Sequence, residues 1–104
     1  MTVDATPELQ RLHEDLMNAL RGLERAGGTH HAFFDEDARI GDVLWVASYR
    51  LKSALGAYAP HITLGHAEAP PDVSPLSFTA DTIAACHLGR FCTCREIRRQ
   101  WTLS

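Results

Sequence analysis

Pro60-His61-Ile62-Thr63-Leu64-Gly65-His66 is the stretch on which the reading of this chain turns. Pro60 favours an extended start, because the proline ring fixes φ and disfavours helix in the residue before it. Side chains alternate across an extended backbone, so His61, Thr63 and Gly65 share one face while Ile62 and Leu64 share the other. The stretch predicts a strand with one apolar side for packing and one polar side for chemistry.

Upstream of it, residues 42–54 admit two periods. Val43, Trp45, Ala47, Tyr49 and Leu51 alternate as in a strand, whereas Val43, Val46, Ala47, Leu51 and Ala54 fit a helix. The helix is preferred: Asp42 suits the N-cap, the run is long for a strand, and Gly56 stands where a C-cap belongs. Residues 29–41 carry His30-His31, two phenylalanines and Asp35-Glu36-Asp37, and read as a strand or irregular segment followed by a charged loop. Further upstream, Thr6-Pro7-Glu8 opens a helix, with Thr6 as N-cap, Pro7 at the first helical position and Glu8 facing the positive helix end. Leu9, Leu12, Leu16, Leu20 and Leu23 form its apolar stripe, Gly27-Gly28 ends it, and His13 and Asn18 fall on the solvated side.

Downstream, the prolines of residues 68–75 mark a connector. Residues 77–87 and 91–103 are β-like runs around Leu88-Gly89-Arg90, which predicts a hairpin. The elements together predict an α+β fold, with one or two helices packed on a small antiparallel sheet, in a single domain over residues 1–104.

Length and composition agree with that. A chain of 104 residues that is 45% hydrophobic and 22% charged is neither a disordered tail nor a fibre, and fits one core. No run approaches the roughly 18 apolar residues of a membrane span, and residues 1–10 lack the pattern of a secretory signal, so the expected compartment is the cytoplasm, with no membrane partner. Three cysteines, Cys86, Cys92 and Cys94, point to reduced thiols or metal ligation in preference to a disulfide framework. Net charge is −5 over residues 1–48, −1 over 49–85 and +3 over 86–104, so the hairpin is the basic part. Its four arginines read either as a solvated strand face or as phosphate contacts.

His61 and Thr63 are the pair best suited to chemistry. Two residues apart on a strand, they project from one face about 6.5–7 Å apart, which lets an imidazole and a hydroxyl converge on one phosphate. Histidine moves protons near neutral pH, and threonine can donate to a phosphoryl oxygen. Taken alone, His-x-Thr is a short pattern whose simplest reading is a strand histidine satisfied by a hydrogen bond.

In its setting the stretch resembles the His-hydrophobic-Thr-hydrophobic signature of the two-histidine phosphoesterase superfamily, which includes 2′-5′ RNA ligase-like and cyclic phosphodiesterase proteins. The Thr6-Pro7-Glu8-Leu9 helix and the terminal hairpin are similar to elements flanking the second such motif there, so residues 6–102 resemble one lobe, the C-terminal one. The resemblance implies a cleft between two similar lobes, each giving one His-x-Thr/Ser strand. One histidine takes the proton from the attacking hydroxyl, the other protonates the leaving oxygen, and the hydroxyl side chains hold the non-bridging oxygens, with no metal or cofactor. Carried over, His61 is an acid/base residue and Thr63 a phosphate holder for a nucleotide or RNA-end substrate. The chain departs from the pattern in one respect: His13, His30, His31, His66 and His87 are followed two places later by Asp15, Ala32, Phe33, Glu68 and Gly89, so the second motif is missing.

Three outcomes follow. Two copies pair about a two-fold axis and rebuild the cleft as a homodimer; or the lobe keeps a phosphate- or RNA-binding strand, or an exposed edge for a protein partner, without efficient catalysis; or the resemblance is one of fold alone. The last admits a zinc reading in which His87 and Cys92 face each other across the hairpin, Cys94 follows on the same face and Cys86 points away. Ordinary buried thiols are the competing reading. Around the cleft, Tyr49 and Tyr58 are candidates for stacking on a base, His66 for a supporting group at the strand end, and Arg90 and Arg95 for countering substrate phosphate. The His30-His31 pair shows no further ligand at metal spacing and reads as surface.

Overall fold

The computed structural model describes residues 1–25, 27–63, 68–69, 72 and 74–103. Among the described residues, two α-helices and a two-stranded antiparallel sheet make a small α+β fold. Helix α1 spans Pro7–Leu20 and helix α2 spans Ile40–Lys52; strands β1 and β2 span Thr82–Leu88 and Cys94–Thr102. One-turn 3₁₀ segments at His30–Ala32, Phe34–Glu36, Leu55–Ala57 and Arg90–Cys92 shape the connections.

The start of α1 follows its capping residues: the Leu9 amide donates to Thr6 Oγ1 at 3.2 Å, and Pro7 occupies the first turn. The helix stops at Leu20, seven residues before Gly27, where Arg21 caps it and the amides of Leu23 and Glu24 turn back to the Leu20 carbonyl. Gly22, a poor helix former, lies in that turn. Arg50 of α2 seals the junction by donating to the Met17 carbonyl at 2.5 Å and pairing with Glu24.

The leucine stripe is not the buried face. His13 and Met17 are the buried residues of α1, while Leu16, Leu20 and Leu23 remain exposed. The expectation that His13 is solvated is therefore corrected. Its Nε2 accepts the Leu55 amide at 2.9 Å, its ring stacks on Tyr58 at 3.9 Å between centroids, and Gln10 donates to the Leu55 carbonyl at 3.1 Å. The N–H and the C=O of Leu55, in successive peptide groups, are thus both held by α1, which fixes Leu55 in a left-handed conformation (φ 57°) that leucine otherwise avoids. Periodicity could not reveal this, because a histidine next to a leucine stripe is buried only when a distant backbone amide comes to meet it.

Burial, partly opposed by Glu14, holds the His13 pKa below the usual 6.5. The unfolded chain therefore binds a proton that the folded chain refuses, so this contribution is complete above about pH 6.5 and drains as the pH falls through that value. Thermal melts between pH 7.5 and 5, roughly spanning the imidazole range, are expected to show a falling Tm. His13→Ala is expected to melt on the order of 5 °C lower at neutral pH, with a flatter slope; an unchanged slope would contradict the buried neutral imidazole.

Helix α2 forms where the helical period predicts it, but its N-cap lies three residues earlier than Asp42. Arg39 is its N-cap and Asp42 its third residue, the partner in a capping box. Gly56 does not cap it; Ser53 does, and Gly56 lies in the following 3₁₀ turn. The hairpin also forms, with Thr82 paired to Thr102, Ala85 to Arg99, Cys86 to Ile97 and Leu88 to Cys94. Irregularities after Ala85 and His87 shift this register. Its link is longer than the three residues expected: Gly89, the Arg90–Cys92 turn and Thr93. At Gly89 an added Cβ would lie 2.6 Å from Arg95 Cγ, so the glycine admits that close crossing.

The core is slight. Among the described residues, Met17, Phe33 and Ala54 are buried hydrophobics, Pro60 is buried as well, and every residue of β2 is exposed. The accessible surface is 8511 Å² and the radius of gyration 14.9 Å, against about 5,800 Å² and about 13 Å for a folded monomer of this length. No helix among the described residues is long and apolar enough to cross a membrane.

Candidate functional site

The His61 segment is anchored by the first three residues of the chain. Met1 and Ile62 exchange backbone bonds, the Met1 ammonium donating to the Ile62 carbonyl at 2.8 Å and the Ile62 amide to the Met1 carbonyl at 2.7 Å. The Val3 amide donates to the Pro60 carbonyl at 3.0 Å. Thr2 and His61 form the antiparallel bridge between these bonds, a non-hydrogen-bonded pair whose side chains lie close on one face. The extended reading of this stretch is realised as this single bridge, with Thr63 outside it; Leu64, Gly65 and His66 lie outside the described residues.

His61 is exposed, and its Nδ1 lies 3.1 Å from the Ala59 carbonyl. A carbonyl can only accept, so Nδ1 carries the hydrogen and Nε2 is the basic nitrogen of the neutral ring. His61 lies on the wall of a half-open cavity of about 1320 Å³, together with Thr2, Trp45, Tyr49, Tyr58 and Phe78. Burial, followed by neighbouring Tyr58, pushes the Tyr49 phenol above its usual value and keeps it a neutral donor. Trp45 packs edge-on against Tyr49 at 5.8 Å. Tyr58 is stacked against His13, so that face of its ring is already covered. The wall therefore combines an oriented imidazole, a phenol donor, a hydroxyl and broad aromatic surface, a set able to hold a phosphorylated aromatic ligand.

Three of the sequence-derived site residues, His61, Tyr49 and Tyr58, meet at this cavity, whereas Thr63, Arg90 and Arg95 do not line it. Arg90 donates to Asp37 at 2.9 Å and Arg95 approaches the same carboxylate at 3.5 Å, beneath the hairpin link. Arg90 is the chief cause of the lowered pKa of Asp37. Trp45 and Thr2 escaped the sequence reading. Trp45 carried a signal, since it lies four residues before Tyr49 on one helix and so shares its face; Thr2 carried none, because its place is set by a pairing 59 residues away.

The alternative zinc set of His87, Cys92 and Cys94 is not assembled among the described residues. His87 pairs with Glu96, and its Nε2 donates to the Ala32 carbonyl at 2.9 Å. Cys94 shares a hydrogen bond with Cys86, which pushes its thiol pKa up. Cys92 sits in the link with its Sγ 3.9 Å from the Asp42 carbonyl, its thiol pushed up by burial. The longer link removes Cys92 from β2, and the strand irregularities turn Cys86 and Cys94 toward each other.

Comparison with protein-family models, curated proteins and solved structures returned no match.

Proposed function

We propose that this chain is a metal-independent phosphodiesterase or RNA-end-processing protein acting on 2′,3′-cyclic or 2′-5′-linked nucleotides, with a site completed by a second copy of the chain. The observation that carries the reading is the orientation of His61: Nδ1 donates to its own Ala59 carbonyl, which leaves a basic Nε2 on a ring exposed at the wall of a large cavity. This is the state a general base requires. In hydrolysis of a cyclic phosphate, Nε2 takes the proton from water as the new P–O bond forms. The protonated imidazole of the second copy then gives its proton to the ribose oxygen as the old bond breaks. The Thr2 hydroxyl, beside His61 on the cavity wall, holds a non-bridging oxygen, and Tyr49 and Tyr58 line the side that faces the base.

A second copy is favoured by surface area. The chain exposes roughly 2,700 Å² more than a monomer of its size normally does, and a stable interface removes about 800 Å² per partner. Leu44, Trp45, Val46, Leu76 and Phe78 are among the exposed apolar residues available for it. The same reading agrees with a cytoplasmic location and reduced cysteines.

A second reading, non-catalytic phosphate or RNA binding, is favoured by one feature: His61 is the sole imidazole among the described residues lining the cavity. Hydrolysis of a 2′,3′-cyclic nucleotide in excess chelator, combined with solution mass, separates the two. The enzyme reading expects chelator-resistant turnover and a dimer, with specific activity rising with protein concentration as dimers form. Binding without turnover by an established dimer would overturn it and leave the binding module.

A further inference from the structure

Residues 29–36 form a compact double turn that sequence spacing did not anticipate. Thr29 Oγ1 accepts the His31 amide at 3.4 Å at the head of the His30–Ala32 turn, and Phe33 is buried beneath it. Asp35 and Glu36 then take left-handed conformations, φ 53° and 56°, which reverse the chain. Glu36 is thereby carried back to the histidines, its Oε2 3.1 Å from His31 Nδ1. The His30 and His31 rings lie 4.0 Å apart, tilted by 37°. One ligand atom from each of His30, His31 and Glu36 falls within 4.8 Å of the other two. The expectation that His30-His31 lacks a carboxylate partner is thus corrected.

We propose that His30, His31 and Glu36 form a binding site for a divalent transition metal of the zinc type. Two imidazoles and one carboxylate are a donor set that three-ligand zinc sites use, with the fourth position left to water or a ligand. Tetrahedral bonds of about 2.0–2.1 Å put neighbouring donors about 3.3 Å apart, and the His31–Glu36 pair already stands at 3.1 Å. The His30 donor closes the remaining gap by side-chain rotation, and all three residues are exposed, so that rotation disturbs no core contact. Calcium and magnesium are disfavoured, because they take mostly oxygen ligands.

The site is separate from the proposed phosphodiester chemistry, since neither histidine lines the His61 cavity. Its consequence is structural. Phe33 contributes to the core, and the Ala32 carbonyl receives the bond from His87 on β1, so a metal clasping residues 30–36 braces the loop that meets the hairpin. Ligand binding to the folded state alone raises stability.

Calorimetric titration of chelator-stripped protein with Zn²⁺, together with the absorption spectrum of the Co²⁺-loaded protein, tests the assignment. The wild-type chain is expected to take up about one equivalent, to melt at higher temperature when loaded, and to give a cobalt spectrum without a thiolate charge-transfer band. Glu36→Gln and the double variant His30→Ala/His31→Ala are expected to bind at least roughly tenfold more weakly with unchanged circular dichroism. Undiminished uptake by the double variant, a thiolate band from Cys86, Cys92 or Cys94, or no uptake by the wild type would each overturn it.

Discussion

His61→Ala is expected to abolish turnover of 2′,3′-cyclic nucleotides while leaving the fold intact. A single acid/base group contributes typically about 10²–10⁴-fold. In a two-fold dimer one substitution removes both the base and the acid, so the loss lies at the upper end of that range or beyond it. The fold should tolerate the change, because the ring is exposed and its hydrogen bond is to its own Ala59 carbonyl. The backbone pairing with Met1 and Val3, which involves no side chain of His61, remains.

The pH profile separates a chemical role from a positional one. Two imidazoles of one kind, one needed neutral and one protonated, give a bell-shaped dependence of kcat/KM whose limbs belong to the pair. Thr2→Ala keeps both imidazoles, so it is expected to retain the bell at a rate lowered by roughly tenfold, the worth of one hydrogen bond to a charged oxygen. A His61→Ala chain that hydrolyses the substrate as fast as the wild type would end the phosphodiesterase reading. Equal loss of nucleotide binding and turnover, with no bell in the wild type, would reassign His61 to ligand contact.

The elements that could be read from the sequence are those whose determinants are local. Thr6-Pro7 starts α1, helical spacing identifies α2, and β-like runs on either side of Gly89 identify the hairpin. The errors lie where a distant group decides the outcome. His13 is buried because Leu55, 42 residues on, needs an acceptor for its amide. Glu36 reaches His31 because two non-glycine residues adopt positive φ, which no spacing rule foresees. Asp42 looks like an N-cap because it is an aspartate at a helix start, yet Arg39 takes that place. At the candidate site, the local signal of His61, Tyr49 and Tyr58 led to one cavity, whereas Thr2 and Trp45 became visible only with the fold. The arginines were read for phosphate on charge alone, and both face an aspartate from the loop before α2.

Asp42 carries the second large effect. It is 3% exposed and serves two elements at once. Its Oδ2 accepts the Arg39 amide at 2.9 Å and Arg39 Nε at 3.2 Å, and its Oδ1 accepts Arg39 Nη2 at 2.7 Å, closing the first turn of α2. The same Oδ2 accepts the Phe91 amide at 3.0 Å, and Phe91 is held at φ 63° with its ring 3.9 Å from the Arg39 guanidinium. One carboxylate therefore joins the start of α2 to the hairpin link, beside the Arg39–Phe91 ring contact and the Cys92 Sγ that approaches the Asp42 carbonyl. Asp42→Ala leaves a helix cap unmade, removes the carboxylate to which the Phe91 amide donates, and leaves Arg39 without its counter-charge. Such losses are among the most destabilising single changes, and a Tm lower by on the order of 10 °C is expected. Acid acts in the same direction. Hydrogen bonds from the Arg39 side chain, opposed by burial and aided by the Arg39 and Phe91 amides, hold the carboxyl far below the ordinary carboxylate range. Because the folded-state pKa is depressed, the stabilisation is complete above the unfolded value of about 4 and drains as the pH falls below it. Asp42→Asn keeps the shape and one acceptor but cannot titrate, so its acid limb should be flatter than that of the wild type. An alanine variant that melts with the wild type, or an asparagine variant with an unaltered acid limb, would show that the hairpin is held to α2 by other contacts.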